Sequence, residues 1–291
     1  MQVVLHAGVH CTDEDRILKC LLKNRGEFSD IGTAVPPPGR YRRLLRKTVQ
    51  ALEKSDPAPD ARDLLVESIL DGESTDRMLL CERNLFCMAT FAIRGARFYQ
   101  KADARLAEFK RLFNGDQIEL FLAIRNPATF LPALTETAAA TDLFALLQGT
   151  DPRDLLWSDL IARLRNAHPD IPITVWCNED TPLIWGQIIR EMAGLNPGTK
   201  IKGSFDLLSE IMTREGMTRF RAYLAKHPVM TEIQKRRVMV AFLDKFARPE
   251  AIEEELDVAG WTDELVEELT EAYDEDVFEL ARIPGVNFIG P

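Results

Sequence analysis

Apolar positions along the chain come in short unbroken runs separated by longer stretches of helical periodicity. The runs are Val3–His6, Met78–Cys81, Ile118–Ile124 and Ile173–Cys177, with a weaker one at Val286–Ile289. Each is rich in Val, Ile, Leu or Phe and is followed by polar or turn-forming residues, the pattern of strands buried on both faces. Between the runs, apolar residues recur every three to four positions. That spacing predicts helices over Asp13–Asn24, Arg40–Leu52, Asp60–Leu70, Arg97–Phe113, Thr129–Leu147, Asp154–Asn166 and Thr181–Met192. From about Phe205 the pattern is helical almost throughout, with Ser204 as an N-cap. The last long helix, Thr262–Arg282, is stopped by Pro284 and Gly285. Alternating strands and helices predict an α/β fold: a three-layer α/β/α parallel sheet with a helical C-terminal part. The division expected is a core over residues 1–200 and a helical part over 201–291, either separate or integral to the same domain.

Charge refines this picture. The net charge is −10, but residues 250–291 hold fourteen acids and one arginine, leaving the rest of the chain with 35 bases and 32 acids. The body is therefore balanced enough to host an anionic small molecule, while nucleic acid is disfavoured by the negative total and by the lack of an aromatic-rich basic groove. No apolar run approaches the length needed to span a bilayer, and the first residues lack the basic segment, apolar core and cleavage site expected of a secretory leader. Five cysteines without a C-x-x-C pair read as free thiols in a reducing compartment, so the expected location is cytoplasmic.

Candidate chemistry concentrates where the first strand runs through "HAGVHCTDED" into a helix. Ligands in open parallel sheets sit beyond the carboxyl ends of the strands, and a helix start there presents N–H groups to an anion. The Walker A pattern is absent. The stretch "LHAGVHCTDEDRILKCLLKNR" instead resembles the opening of bacterial sulfotransferase-like proteins, in which the first strand leads into H-x-G-x-H-K-T-G-T-T. "GRYR", "LLCERNL", "LAIRNPATFLPAL", "VWCNED" and "AYDEDVFELARIPGV" resemble later features of that family in the same order. The resemblance implies a P-loop NTPase-like fold of the sulfotransferase type, the donor 3′-phosphoadenosine 5′-phosphosulfate (PAPS) and a small-molecule acceptor with a hydroxyl or amine. On this alignment Gly8, Cys11 and Thr12 lie in the phosphosulfate loop and Arg125 at the 3′-phosphate. Glu82 or His10 would be the base that takes the acceptor proton.

The same alignment exposes departures. Cys11 stands where the family has lysine, Asp13 replaces a glycine, Glu14 and Asp15 replace two hydroxyl residues, and Ala133 replaces a serine. Two like charges a few ångströms apart repel by ~1 kcal/mol in water and ~4 kcal/mol at an effective dielectric near 20. Several carboxylates facing a phosphosulfate would thus forfeit roughly a thousandfold in affinity. The same residues also fit a self-capped helix start, with Thr12 as N-cap and Asp15 reaching back to it as a capping box. Three functions stay open at this point. They are a sulfotransferase-like protein with an eroded donor loop, an active PAPS-dependent sulfotransferase, and another anion- or nucleotide-binding protein. Each candidate also has a plainer reading. His10 is then a loop histidine, Glu82 a turn carboxylate, Arg125 half of an ion pair, and Arg40–Lys47 the solvated side of a helix. A metal cluster of His6, His10, Cys11, Asp13 and Asp15 matches no established zinc spacing.

Overall fold

The apolar runs do pair as one parallel sheet. A computed structural model describes residues 1–140, 142–252 and 260–291. Its first half comprises β1 (Gln2–His6), α1 (Arg16–Lys23), α2 (Arg25–Ser29), β2 (Thr33–Ala34), α3 (Pro38–Ala51), α4 (Ala61–Leu70), β3 (Arg77–Cys81), β4 (Ile93–Arg94), β5 (Arg97–Phe98) and α5 (Ala102–Leu112). There follow β6 (Gln117–Ile124), α6 (Pro127–Thr137), α7 (Leu143–Leu147), α8 (Trp157–Ala167), β7 (Ile173–Cys177), α9 (Thr181–Ala193), α10 (Asp206–Ile211), α11 (Arg214–Lys226), α12 (Glu232–Phe246), α13 (Asp263–Leu280) and β8 (Val286–Phe288). Six strands run parallel in the order β2-β3-β1-β6-β7-β8.

Side-chain alternation explains why both faces are covered. Val3 and Leu5 point into one core with Tyr41 and Leu45 of α3, Phe109 of α5, Phe130 of α6 and Leu160 of α8. Val4 points the other way, into a core with Ile17 and Leu21 of α1 and Trp185 and Ile188 of α9. The sheet order reverses at β1, whose neighbours are β3 on one side and β6 on the other. In open α/β sheets that reversal opens a crevice beyond the strand ends, where ligands bind. The boundary expected near residue 200 sets off α10–α12, which share a small core around Leu208, Met217 and Phe220. It does not set off α13, which packs on α6 and α8, or β8, which completes the sheet beside β7.

Several expected elements differ. The helix expected over Arg97–Phe113 starts only at Ala102, because Ile93–Arg94 and Arg97–Phe98 form a tight antiparallel hairpin. β2 is two residues long, too short to leave a periodic trace. The helix expected over Thr129–Leu147 is two helices, α6 ending at Thr137 and α7 starting at Leu143. Thr141, between them, lies outside the described residues, as does the 253–259 part of the acidic stretch. Ser204 does not cap α10; its hydroxyl donates to the Ile201 carbonyl, and α10 starts at Asp206 without a side-chain cap.

Pro132 sits inside α6 and lacks the N–H that would reach the Ala128 carbonyl one turn back. The Trp261 indole N–H donates to that oxygen instead, at 2.8 Å. The vacancy in the helix ladder thus becomes a tether to the chain entering α13. Asn126 caps α6, its Oδ1 accepting the Ala128 N–H at 2.9 Å.

Candidate functional site

The loop after β1 keeps pairing with β6. Ala7 N–H donates to the Phe121 carbonyl, Val9 N–H to the Ala123 carbonyl, and Ala123 N–H to the Gly8 carbonyl. His10 N–H donates to the Tyr99 hydroxyl at 3.1 Å. These bonds turn the N–H groups of Ala7, Val9 and His10 into the protein. Gly8 makes the path possible: its φ is 103°, and a Cβ there would stand 3.3 Å from the His10 nitrogen.

The helix start is filled by side chains, though not in the expected way. Thr12 is not the cap of α1 and no capping box forms. The Thr12 hydroxyl donates back to the Val9 carbonyl at 2.9 Å, and α1 begins four residues later. Asp13 takes the capping role, its Oδ2 accepting the Ile17 N–H at 3.0 Å. Asp15, with φ at 65°, turns its carboxylate to Arg42 of α3, which grips both oxygens at 2.6 and 2.9 Å. Arg42 also donates to the Cys81 carbonyl at the end of β3. The acids sit at the positive end of α1, where the helix dipole favours them.

Arg42 holds the Asp15 carboxyl below the usual aspartate range, against an upward push from partial burial. A lowered folded-state pKa means the pair's stabilisation is present above pH about 4 and is lost as pH falls through the folded value. Asp15→Asn, which keeps a residue tolerant of the left-handed conformation, is expected to destabilise the protein by about 0.5–1 kcal/mol at pH 7. Urea titrations should show the gap between wild type and variant closing below pH about 4; a gap constant with pH would show that Arg42 does not hold that proton equilibrium.

His10 is buried in a network. Its Nδ1 lies 2.8 Å from the Tyr99 hydroxyl and its Nε2 3.0 Å from Asn84 Oδ1. Asn84 Oδ1 can only accept, so His10 carries its hydrogen on Nε2 and its Nδ1 accepts from the Tyr99 hydroxyl. Burial lowers the His10 pKa and keeps the ring neutral. The Asn84 backbone N–H in turn donates to Glu82 Oε1 at 3.0 Å. Glu82 is 1% exposed, and both of its oxygens face the Arg46 guanidinium at 2.8 and 3.0 Å. Glu82 therefore stands behind Arg46 and Asn84, and those two side chains border a cavity of 640 Å³ beyond the end of β3.

Arg125 lies at the carboxyl end of β6, as its place in the sequence implies, and its guanidinium reaches back to the first loop. Nη1 donates to the Cys11 carbonyl at 2.6 Å and Nε to the Thr129 hydroxyl at 2.9 Å. Cys11, itself at φ 55°, is held by that contact, and its thiol lies 3.3 Å from the Thr137 hydroxyl. Burial raises the Cys11 pKa, so the thiol stays protonated at neutral pH despite its place before a helix. His6 is buried too, stacked on Trp176 at 5.8 Å, and burial lowers its pKa.

The structure thus brings Gly8, His10, Cys11, Thr12 and Arg125 together around one loop and places Glu82 next to it through Asn84. The metal cluster does not assemble: among the described residues no three His, Cys, Asp or Glu side chains converge as ligands. Among the described residues, too, no helix is long and apolar enough to cross a membrane. Sequence reading took Arg42 and Arg46 only as part of the basic run Arg40–Lys47, a face for an acidic ligand or the solvated side of a helix, and passed over Asn84 and Tyr99. For the arginines a signal existed, the i, i+4 spacing beside the inward pair Tyr41 and Leu45, which aims both toward the strand ends. Asn84 and Tyr99 carry no local signal. No family model, curated protein or solved structure matches the chain.

Proposed function

We propose that this chain is a sulfotransferase-like protein with a P-loop-type fold whose 5′-phosphosulfate loop has become a structural turn, so that PAPS-dependent sulfuryl transfer is weak or lost. The observation that supports this reading is the filling of the loop by the protein's own groups: Asp13 accepts the Ile17 N–H at the start of α1, and Arg125 donates to the Cys11 carbonyl. A phosphosulfate at the start of α1 would meet the Asp13 carboxylate where the family has a glycine, and no lysine at Cys11. On this reading the phosphosulfate of the donor does not fit the loop. Arg125, the residue aligned with the 3′-phosphate, directs two of its donors into the protein.

The competing reading, an active sulfotransferase on a hydroxyl or amine acceptor, draws support from Glu82 and His10 beside a cavity at the strand ends. One titration separates the two. Calorimetry with adenosine 3′,5′-bisphosphate is expected to give no binding heat up to about 1 mM. A dissociation constant tighter than ~100 μM would overturn the proposal, because repulsion of several kcal/mol forbids it.

A further inference from the structure

The cavity beyond β3 has an uneven charge lining. α3, the turn after β3, the β4–β5 hairpin and the start of α5 enclose it. Six cations border it, Arg43, Arg46, Lys47, Arg94, Lys101 and Arg105, against the single carboxylate of Glu53. Some of these charges are matched. Glu53 pairs with Arg105 at 2.9 Å and Lys101 at 3.6 Å, Glu108 also holds Arg105 at 2.9 Å, and Glu82 holds Arg46. Arg43, Lys47 and Arg94 are not: among the described residues none of the three has a carboxylate partner, and all are exposed. Standing four apart on α3, Arg43 and Lys47 present their charges side by side.

Gln50, Asn84 and Gln100 add neutral polar groups, and one part of the lining is apolar. Leu85 and Phe86 are buried at its base, while Met88 and Phe91 stand 54% and 46% exposed. Arg94 lies over the Phe91 ring at 4.2 Å, adding positive charge to that wall. A bare inorganic anion would leave the apolar base uncovered, and a neutral molecule would leave Arg43 and Lys47 unmatched. The volume suits one small organic molecule.

We propose that this cavity binds a small organic anion with an apolar body, its acidic group met by Arg43 and Lys47 and its body laid against Phe86, Met88 and Phe91. The acidic group belongs to the class of carboxylates, sulfonates and sulfate or phosphate esters. The site is separate from the first loop, so failure of adenosine bisphosphate to bind leaves it intact.

Two fluorescent probes test this on the full chain. 8-Anilinonaphthalene-1-sulfonate carries both features, and N-phenyl-1-naphthylamine is the same body without the sulfonate. The sulfonate is expected to saturate a single site, to bind more weakly as salt rises, and to bind about tenfold more tightly than the neutral amine. Arg43→Gln with Lys47→Gln should weaken it about tenfold with an unchanged circular dichroism spectrum. Arg40→Gln, on the same helix but facing Asp71, should not. Decyl sulfate should displace the probe. Equal affinity for both probes, an unaltered affinity in the double variant, or binding only to phosphatidylserine vesicles would overturn the assignment.

Discussion

Trp157→Ala is expected to lower the unfolding free energy by about 3–5 kcal/mol, among the largest losses from any single change in this chain. Trp157 is fully buried and stacks on Phe98 of β5 at 4.0 Å, with Phe130 of α6 edge-on at 5.1 Å. Its indole N–H donates to the Arg125 carbonyl, and its backbone N–H to Asp276 of α13 at 2.7 Å. The side chain therefore joins the hairpin, α6 and the end of β6. Removing it leaves a cavity that these rigid elements cannot close. Trp157→Phe keeps part of the packing but strands the Arg125 carbonyl, and should lose about 1–3 kcal/mol. Urea unfolding followed by circular dichroism measures both. Because β5 leads directly into Tyr99, Trp157→Ala should also weaken the anilinonaphthalene sulfonate site; a loss below about 1 kcal/mol would mean the site collapses around the gap.

Arg77→Met should lower stability by a comparable amount, about 3 kcal/mol, while leaving probe binding unchanged. Arg77 is nearly buried at the amino-terminal end of β3, away from the cavity. It donates to both Glu119 oxygens at 2.9 and 2.7 Å, to Gln2 at 2.7 Å and to the Met192 carbonyl at 2.8 Å. One guanidinium thus ties β3, β1, β6 and the end of α9. Its loss leaves Glu119 and a helix-end carbonyl unmatched in a poorly hydrated place. Arg77→Met with Glu119→Leu should recover part of the loss, since removing both charges leaves no orphan. If the double variant is as unstable as the single one, the Glu119 pair is not what Arg77 contributes. Unchanged binding in folded Arg77→Met would separate the stabilising edge of the sheet from the ligand-facing edge.

The strands and the parallel sheet were legible because burial on both faces writes itself into local composition: four apolar residues in a row have few other uses. β8, an edge strand with Asn287 at its centre, left a weaker trace. The start of α1 was readable only in part. Three consecutive acids do mark a helix start, but which of them caps depended on Arg42, whose reach to Asp15 turned that carboxylate sideways and left Asp13 to accept the Ile17 N–H. The β4–β5 hairpin was illegible because two-residue strands carry no period and "RFYQ" continues the helical spacing of α5.

The sequence by itself determined the layers, the centre of the sheet and the clustering of candidate residues at one end of it, because those follow from local patterns of apolar and polar side chains. The tertiary structure alone decided what that cluster can do. The fate of the first loop depends on the register of β6 and on Arg125, 114 residues downstream of Cys11. The unmatched charge of Arg43 and Lys47 depends on which acids the fold brings to the other arginines. Hydrogen-bond and charge matching of this kind is set by contacts between distant segments, and no local pattern encodes it.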